Sequence, residues 1–304
     1  MPATEFELGS FLHGERRGVE AALNRALDRL LPGLPGALAA PVRLGVTTGG
    51  KRLRPILFVS AYRASRGPQR PSGQLYDLAA PLELIHAYSL IHDDLPCMDD
   101  APLRRGQPTP HAVYGEAEAI LAGATLIPAA GRHLWVVAGE VGIEPGVARE
   151  LLRLLARAAG GAGMVGGQAL DLDAEGRALD RMALDDLHRR KTGALLTAAL
   201  EMGGVAAGAS AEVRGALVEY GREVGLAFQI ADDVLDATES AETLGKHPSD
   251  SELEKSTYVR LLGVGGAREE ARRRVESAIR ALDRLDGESP ELRALARYVV
   301  ERGH

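Results

Sequence analysis

Two runs of aspartate lie inside apolar sequence, and few folds accommodate them. The first reads Ser89-Leu90-Ile91-His92-Asp93-Asp94-Leu95-Pro96-Cys97-Met98-Asp99-Asp100 and is followed by Arg104-Arg105-Gly106. The second reads Phe228-Gln229-Ile230-Ala231-Asp232-Asp233-Val234-Leu235-Asp236, with Lys246 and Lys255 downstream. Ionised carboxylates are costly in apolar surroundings unless they are paired or bound to metal. Their hard oxygens suit Mg2+ rather than zinc or copper. Mg2+ held by one or two carboxylates completes its shell with water and phosphate oxygens. Two such clusters, each trailed by cations, predict a diphosphate gripped from two sides.

Charge narrows the partners further. With 36 Lys and Arg against 42 Asp and Glu, the net charge of -6 argues against a nucleic-acid binder. An acidic protein must handle a polyanion through metal ions and a few placed cations. A single cysteine, Cys97, excludes an internal disulfide framework and fits a reducing compartment. The start, Met1-Pro2-Ala3-Thr4-Glu5-Phe6-Glu7, lacks the basic and apolar regions of a secretion signal. Every apolar stretch of spanning length is interrupted by charge or a helix breaker, so no membrane span is expected. A soluble cytoplasmic protein is the expectation.

The texture is helical nearly throughout. Ala, Leu, Arg and Glu dominate and aromatics are only 4%, which predicts an all-α fold. Residues 146–160 and 266–285 space apolar positions as amphipathic helices do. Punctuation falls at Pro32-Gly33, Gly49-Gly50, Gly67-Pro68, Pro102 to Pro110, Glu144-Pro145-Gly146, Gly203-Gly204 and Gly263 to Gly266. Ile56-Leu57-Phe58-Val59 and Leu134-Trp135-Val136-Val137 have strand propensity but no alternation, and read as buried helix. No linker or composition shift divides the chain, so residues 1–304 read as one domain.

The spacing of polar groups specifies chemistry. Asp232 and Asp236 are four apart and face one side of a helix, with Gln229 one turn earlier. Asp93 and Asp99 are six apart, which a regular helix would turn about 120° away from each other. Pro96 disrupts that turn, and a two-residue bulge there brings Asp99 back beside Asp93. Arg104 and Arg105 point different ways and can serve two phosphates by forked hydrogen bonds. Gly49-Gly50-Lys51-Arg52-Leu53-Arg54-Pro55 lets backbone amides approach an anion, with Lys51 and Arg54 within a turn of each other. His86, two turns before Asp93, can supply another donor, although a lone histidine in an apolar segment is more often a satisfied core residue. Gln168 with Asp171, and Lys191-Thr192-Gly193, are further candidate contacts. Cys97 is soft, poorly matched to Mg2+, and reads as a space filler.

Taken in order, GGKRLRP, the first aspartate motif, RRG, GGQALD, KTG, the second aspartate motif and KSTY resemble the trans-isoprenyl diphosphate synthases, the farnesyl and geranylgeranyl diphosphate synthase family. The resemblance runs from Gly49 to Tyr258, and Tyr298-Val299-Val300-Glu301-Arg302 is similar to bacterial members. It implies an isoprenoid synthase helical bundle with a central substrate cavity, working as a homodimer. It implies that Asp93, Asp99, Asp232 and Asp236 coordinate Mg2+ bound to an allylic diphosphate. Arg104, Lys191, Thr192, Gln229, Lys246 and Lys255 would contact that diphosphate, supported by Gln168 and Asp171. Isopentenyl diphosphate would sit on Lys51, Arg54, His86 and Arg105. The catalytic set so implied is Asp93, Asp99, Arg104, Lys191, Asp232 and Lys246.

The resemblance also bears on product length. Tyr88 and Ser89 precede Asp93 by five and four residues, roughly 6–7.5 Å along a helix. In the family an aromatic at the former position, with two extra residues in the motif, goes with a fifteen-carbon product. Tyr88 with Pro96-Cys97 therefore implies farnesyl diphosphate, the alternatives being geranylgeranyl diphosphate or a non-catalytic prenyl-binding subunit. A terpene cyclase would have no need of the second diphosphate site at Lys51, Arg54 and Arg105. Two departures stand out: Ala101-Pro102 replaces further acids, which predicts altered loop stiffness, and Ala124 replaces an acid expected to orient the His111 region.

Overall fold

A computed structural model describes residues 6–66, 70, 72–238 and 257–301. Lys246 and Lys255 lie outside the described residues. The expected all-α fold is what the structure has. The strands among the described residues form one two-residue ladder, Leu103–Arg104 against Gln107–Pro108, with Leu103 opposite Pro108 and Arg104 opposite Gln107. Arg105 and Gly106 close it with φ of 54° and 74°, the positive pair of a I′ hairpin turn.

The chain forms two compact units. One draws on Gly9–Val59 and Pro68–Arg153, the other on Met1–Leu8, Ser60–Gly67 and Leu154–His304. In the first unit, α1 (Leu8–Leu30), α2 (Gly36–Thr47), α4 (Ser72–Asp93), α5 (Pro110–Tyr114) and α6 (Glu116–Glu140) supply the frame; α3 (Leu53–Ala64) begins just after the Gly49-Gly50 turn. Helix α4 is apolar on every side and buries residues around its whole circumference, as an internal helix must. It packs on α6 and α2. Arg52 braces this unit from inside. Its guanidinium meets Glu83 and Glu20 at 2.9 Å each and the Val46 carbonyl at 3.0 Å.

After α7 (Pro145–Ala159), the second unit contains α8 (Met164–Asp173), α9 (Arg181–His188), a π-helical turn Arg189–Gly193, α10 (Ala194–Ala207), α11 (Ala211–Thr238), α12 (Tyr258–Ala281) and α13 (Pro290–Glu301). Helix α11 is its axis, packed by α10, α12 and α13. The Tyr220 hydroxyl, fully buried, donates to the Leu292 carbonyl at 2.7 Å and fastens α11 to the start of α13.

Packing overrides local signals in three places. Gly203-Gly204 does not interrupt a helix but lies inside α10, where a side chain at 204 would meet Leu217 at 2.9 Å. Pro128 sits within α6 without ending it, so this helix is long and apolar enough, by length and composition, to cross a membrane. The sequence segment 134–137 is helical as expected but only half buried: Leu134 and Val137 face the core, while Trp135 is 46% exposed and Val136 38%. By contrast, Gly263 does mark a break, with a φ of 68° kinking α12.

Two stability predictions follow from these buried polar contacts. Tyr220→Phe should lower unfolding free energy by about 1–3 kcal/mol, read as a lower urea midpoint at constant slope; an unchanged midpoint would refute the role of that hydrogen bond. Arg52→Ala should cost about 3–5 kcal/mol because Glu83, 3% exposed, is left charged and unpaired. Replacing Arg52 and Glu83 together by apolar residues should recover most of that loss in the same titration.

Candidate active site

In the first unit the site begins where α4 stops. The last turn carries Asp93, and the chain then folds back on itself. The Asp99 amide donates to the Asp93 carbonyl at 2.9 Å, Asp100 to Leu95 and Ala101 to Asp94 at 3.1 Å each. The expected return of Asp99 toward Asp93 is therefore present, but as a hydrogen-bonded turn that ends the helix rather than a bulge within it. Asp94 is buried and receives the Arg104 guanidinium through Nε at 2.7 Å and 3.0 Å and Nη2 at 2.6 Å. Arg105, next along the hairpin, donates to the Gly49 carbonyl. The space freed by glycine at 50 is filled by that guanidinium, whose Nη1 would lie 2.4 Å from a side chain there.

Thr48, Gly49, Arg52, His86, Asp94, Arg104 and Arg105 line a small cleft. Burial drops the Arg54 guanidinium to about 10; Glu83 opposes the shift and Arg105 adds to it. Burial also holds the His86 imidazole well below its usual range, and the guanidiniums of Arg54, Arg105, Arg104 and Arg52 push it the same way. His86 is thus neutral among cations. Among the described residues, neither His86 Nδ1 nor Arg54 Nε has a hydrogen-bond partner although both atoms are buried. Unsatisfied buried polar atoms beside a cation cluster are what an anion site leaves without its ligand. Lys51 is exposed on the same loop.

The second unit assembles the other candidates around α11. Asp232 and Asp236 sit one turn apart on this regular helix, as the spacing predicts. Asp233 points elsewhere: its Oδ2 accepts the Tyr258 amide at 2.7 Å. Burial raises the Asp233 carboxyl to about 7, the Tyr258 amide opposing and Asp236 and Asp232 adding. The Tyr258 hydroxyl donates to Asp185, and its ring stacks on His188 at 5.7 Å. Asp185 also faces Arg189 and Arg274, so α9, α11 and α12 share one charged network.

Lys191 and Thr192 stand on the π-helical turn, a distortion that recurs at functional sites. Lys191 pairs with Asp171, and the Thr192 hydroxyl donates to Gln229 Oε1. Gln168 and Asp171 lie one turn apart on α8. Two glycines permit this assembly. A Cβ at 167 would lie 2.1 Å from the Lys191 amide, and one at 225 would lie 3.0 Å from the Gly193 Cα.

The donor set fits Mg2+. All four proposed ligands are carboxylates, arranged in pairs. Mg2+ held by one or two carboxylates keeps waters and substrate oxygens in its shell. Tyr88 is buried on α4, and the Ser89 hydroxyl donates to the His86 carbonyl at 2.9 Å. Ala124 is exposed, and His111 Nδ1 meets the Thr109 hydroxyl at 3.1 Å. Sequence reasoning missed Arg52, Glu83 and Asp185 as organisers. Glu83 carried a signal, being one acid in the apolar run Ala79-Ala80-Pro81-Leu82-Glu83-Leu84-Ile85, and the cost argument applied to the aspartates covers it too.

Comparison with known proteins gives the family. The polyprenyl synthetase family model matches residues 35–294. A farnesyl diphosphate synthase of Geobacillus stearothermophilus is 40% identical over 99% of each chain. Geranylgeranyl pyrophosphate synthase 9 of Arabidopsis thaliana is 41% identical over 92% of this chain and 79% of its own. Among solved structures, an FPP/GFPP synthase from Zymomonas mobilis superposes with a TM-score of 0.82 at 35% identity, covering 96% of this chain and 98% of that one. The chain belongs to the polyprenyl synthetase family.

Proposed function

We propose that this protein is a trans-prenyltransferase that condenses isopentenyl diphosphate with dimethylallyl and geranyl diphosphates to give farnesyl diphosphate. The observation that carries the reading is the end-to-end match with the Geobacillus farnesyl diphosphate synthase, made by a chain that carries two aspartate motifs. The Arabidopsis relative keeps geranylgeranyl diphosphate as the second reading. Tyr88, large and buried five residues before Asp93, favours the shorter product.

Asp93, Asp99, Asp232 and Asp236 would hold Mg2+. Bound there, Mg2+ neutralises charge on the departing diphosphate. Lys191, Thr192, Gln229 and Arg104 orient the allylic diphosphate, with Lys246 and Lys255 assigned to the same group and Gln168 and Asp171 in support. Asp171 already holds Lys191, and Gln229 already holds Thr192, so both are set before ligand arrives. Lys51, Arg54, His86 and Arg105 bind isopentenyl diphosphate and aim its double bond. The allylic carbon–oxygen bond breaks with its electron pair leaving on diphosphate. The double bond attacks the resulting cation, and loss of a proton to the released diphosphate completes the chain. Water would quench the cation, so the apolar residues behind Asp93, Ile91 and Tyr88 among them, keep that side dry.

The same reading takes residues 1–304 as one polyprenyl synthase domain in a cytoplasmic homodimer without a membrane span or nucleic-acid partner. A second copy suits the outer face of α6, where Ile120, Leu121, Ile127 and Trp135 are exposed together.

Incubation with isopentenyl diphosphate, Mg2+ and each allylic primer should yield a fifteen-carbon product; absence of elongation with every primer would sink the proposal. Chelation of the metal should abolish turnover, and restored Mg2+ should return it. Asp93→Ala and Asp232→Ala should each lose turnover by about a thousandfold or more while circular dichroism stays native, and near-normal rates would contradict their roles. Gly167→Ala should lower kcat by roughly ten- to a hundredfold, because it displaces the Lys191 turn; unchanged kcat would show that the turn tolerates the shift.

A further inference from the structure

His92 lies between the two proposed functional groups of α4, one turn after Tyr88 and immediately before Asp93. Its ring meets the Tyr88 ring edge to face, with centroids 5.2 Å apart and planes at 88°. This is a preferred aromatic geometry. On its other side, Nε2–H donates to the Ile120 carbonyl of α6 at 3.0 Å. The imidazole reaches that carbonyl through a notch at Gly123, one turn further along α6. A Cβ at 123 would lie 2.3 Å from Nε2 and 2.5 Å from Cδ2, closer than real side-chain carbons approach. Only glycine admits the ring.

We propose that the Gly123 notch makes His92 a positioning residue for product length, acting through Tyr88. The inference rests on the elongation reading and on Tyr88 as the floor of the growing chain. A floor limits length only while its ring stays put. Tyr88 turns about two side-chain torsions, and the imidazole, held on the Ile120 carbonyl, stands against its ring on the α6 side. His92 is itself fixed at two points, by its place on α4 and by the α6 carbonyl. The Tyr88 side chain is therefore held by a contact that reading the aromatic position alone does not reveal.

The test is product chain length from isopentenyl diphosphate with geranyl and farnesyl diphosphate primers, for the wild type and four variants. His92→Ala removes the brace, and Gly123→Ala evicts it. Each should raise the ratio of twenty- to fifteen-carbon product roughly three- to tenfold, the range an edge-to-face pair is worth. Tyr88→Ala should lengthen the product, and His92→Ala added to it should change nothing further, since the brace then has nothing to hold. If Tyr88→Ala lengthens the product while neither notch variant does, the notch inference fails alone. A uniform fall in rate at unchanged product ratio overturns it equally. If the wild type does not elongate, or Tyr88→Ala leaves the product unchanged, the underlying reading fails instead. Should Gly123→Ala fold poorly, the double variant Gly123→Ala/His92→Ala removes the clash and should reproduce the His92→Ala distribution.

Discussion

The cost of burying an unpaired charge organises both halves of this protein. Each aspartate doublet splits its labour. Asp94 is buried on the Arg104 fork, and Asp233 accepts the Tyr258 amide. Neighbouring residues on a helix point about 100° apart. When one member of a doublet turns inward to a protein partner, the other is presented elsewhere. The anchored carboxylates thus hold the backbone that carries Asp93 and Asp232, the residues proposed for metal.

The cations are arranged by the same cost with opposite sign. Arg52, Arg54, Arg104 and Arg105 crowd around a neutral His86, and Arg54 is pulled down to about 10 mainly by burial. Glu83, Glu20 and Asp94 offset part of this repulsion by pairing with Arg52 and Arg104. A cluster of this kind is less favourable empty than filled. A diphosphate bound there as proposed would relieve repulsion as well as make new bonds.

Much of this was legible in the sequence, and the misses have definite causes. Helix formers gave the fold class, and Pro96 gave the turn that returns Asp99, since its missing amide donor falls just past the last turn of α4. Gly203-Gly204 misled because α10 is held by packing on its neighbours, which outweighs a local preference of about 1 kcal/mol per glycine. The exposure of Trp135 was hidden for a related reason. A helix apolar on all sides does not say which sides its own chain will cover. The anchoring roles of Asp94 and Asp233 were hidden as well, because a doublet alone does not tell which carboxylate turns inward.

Backbone strain completes the argument. Four described non-glycine residues have clearly positive φ: Arg52, Arg66, Asp100 and Arg105, at 53°, 51°, 46° and 54°. Three of them belong to the loops that carry the first candidate site. Left-handed backbone costs a branched or long residue on the order of 1 kcal/mol or more and persists only where the surroundings enforce it. The enforcing contacts are visible. Arg52 is locked by Glu83 and Glu20, Arg105 by the hairpin turn and the Gly49 carbonyl, and Asp100 by its amide on Leu95. Glycine at these three positions would relieve strain but delete two guanidiniums and a carboxylate. Side-chain charge has prevailed over backbone ease in the loops proposed to hold the anion, and Arg66, just past the end of α3, donates to the Asp286 carbonyl.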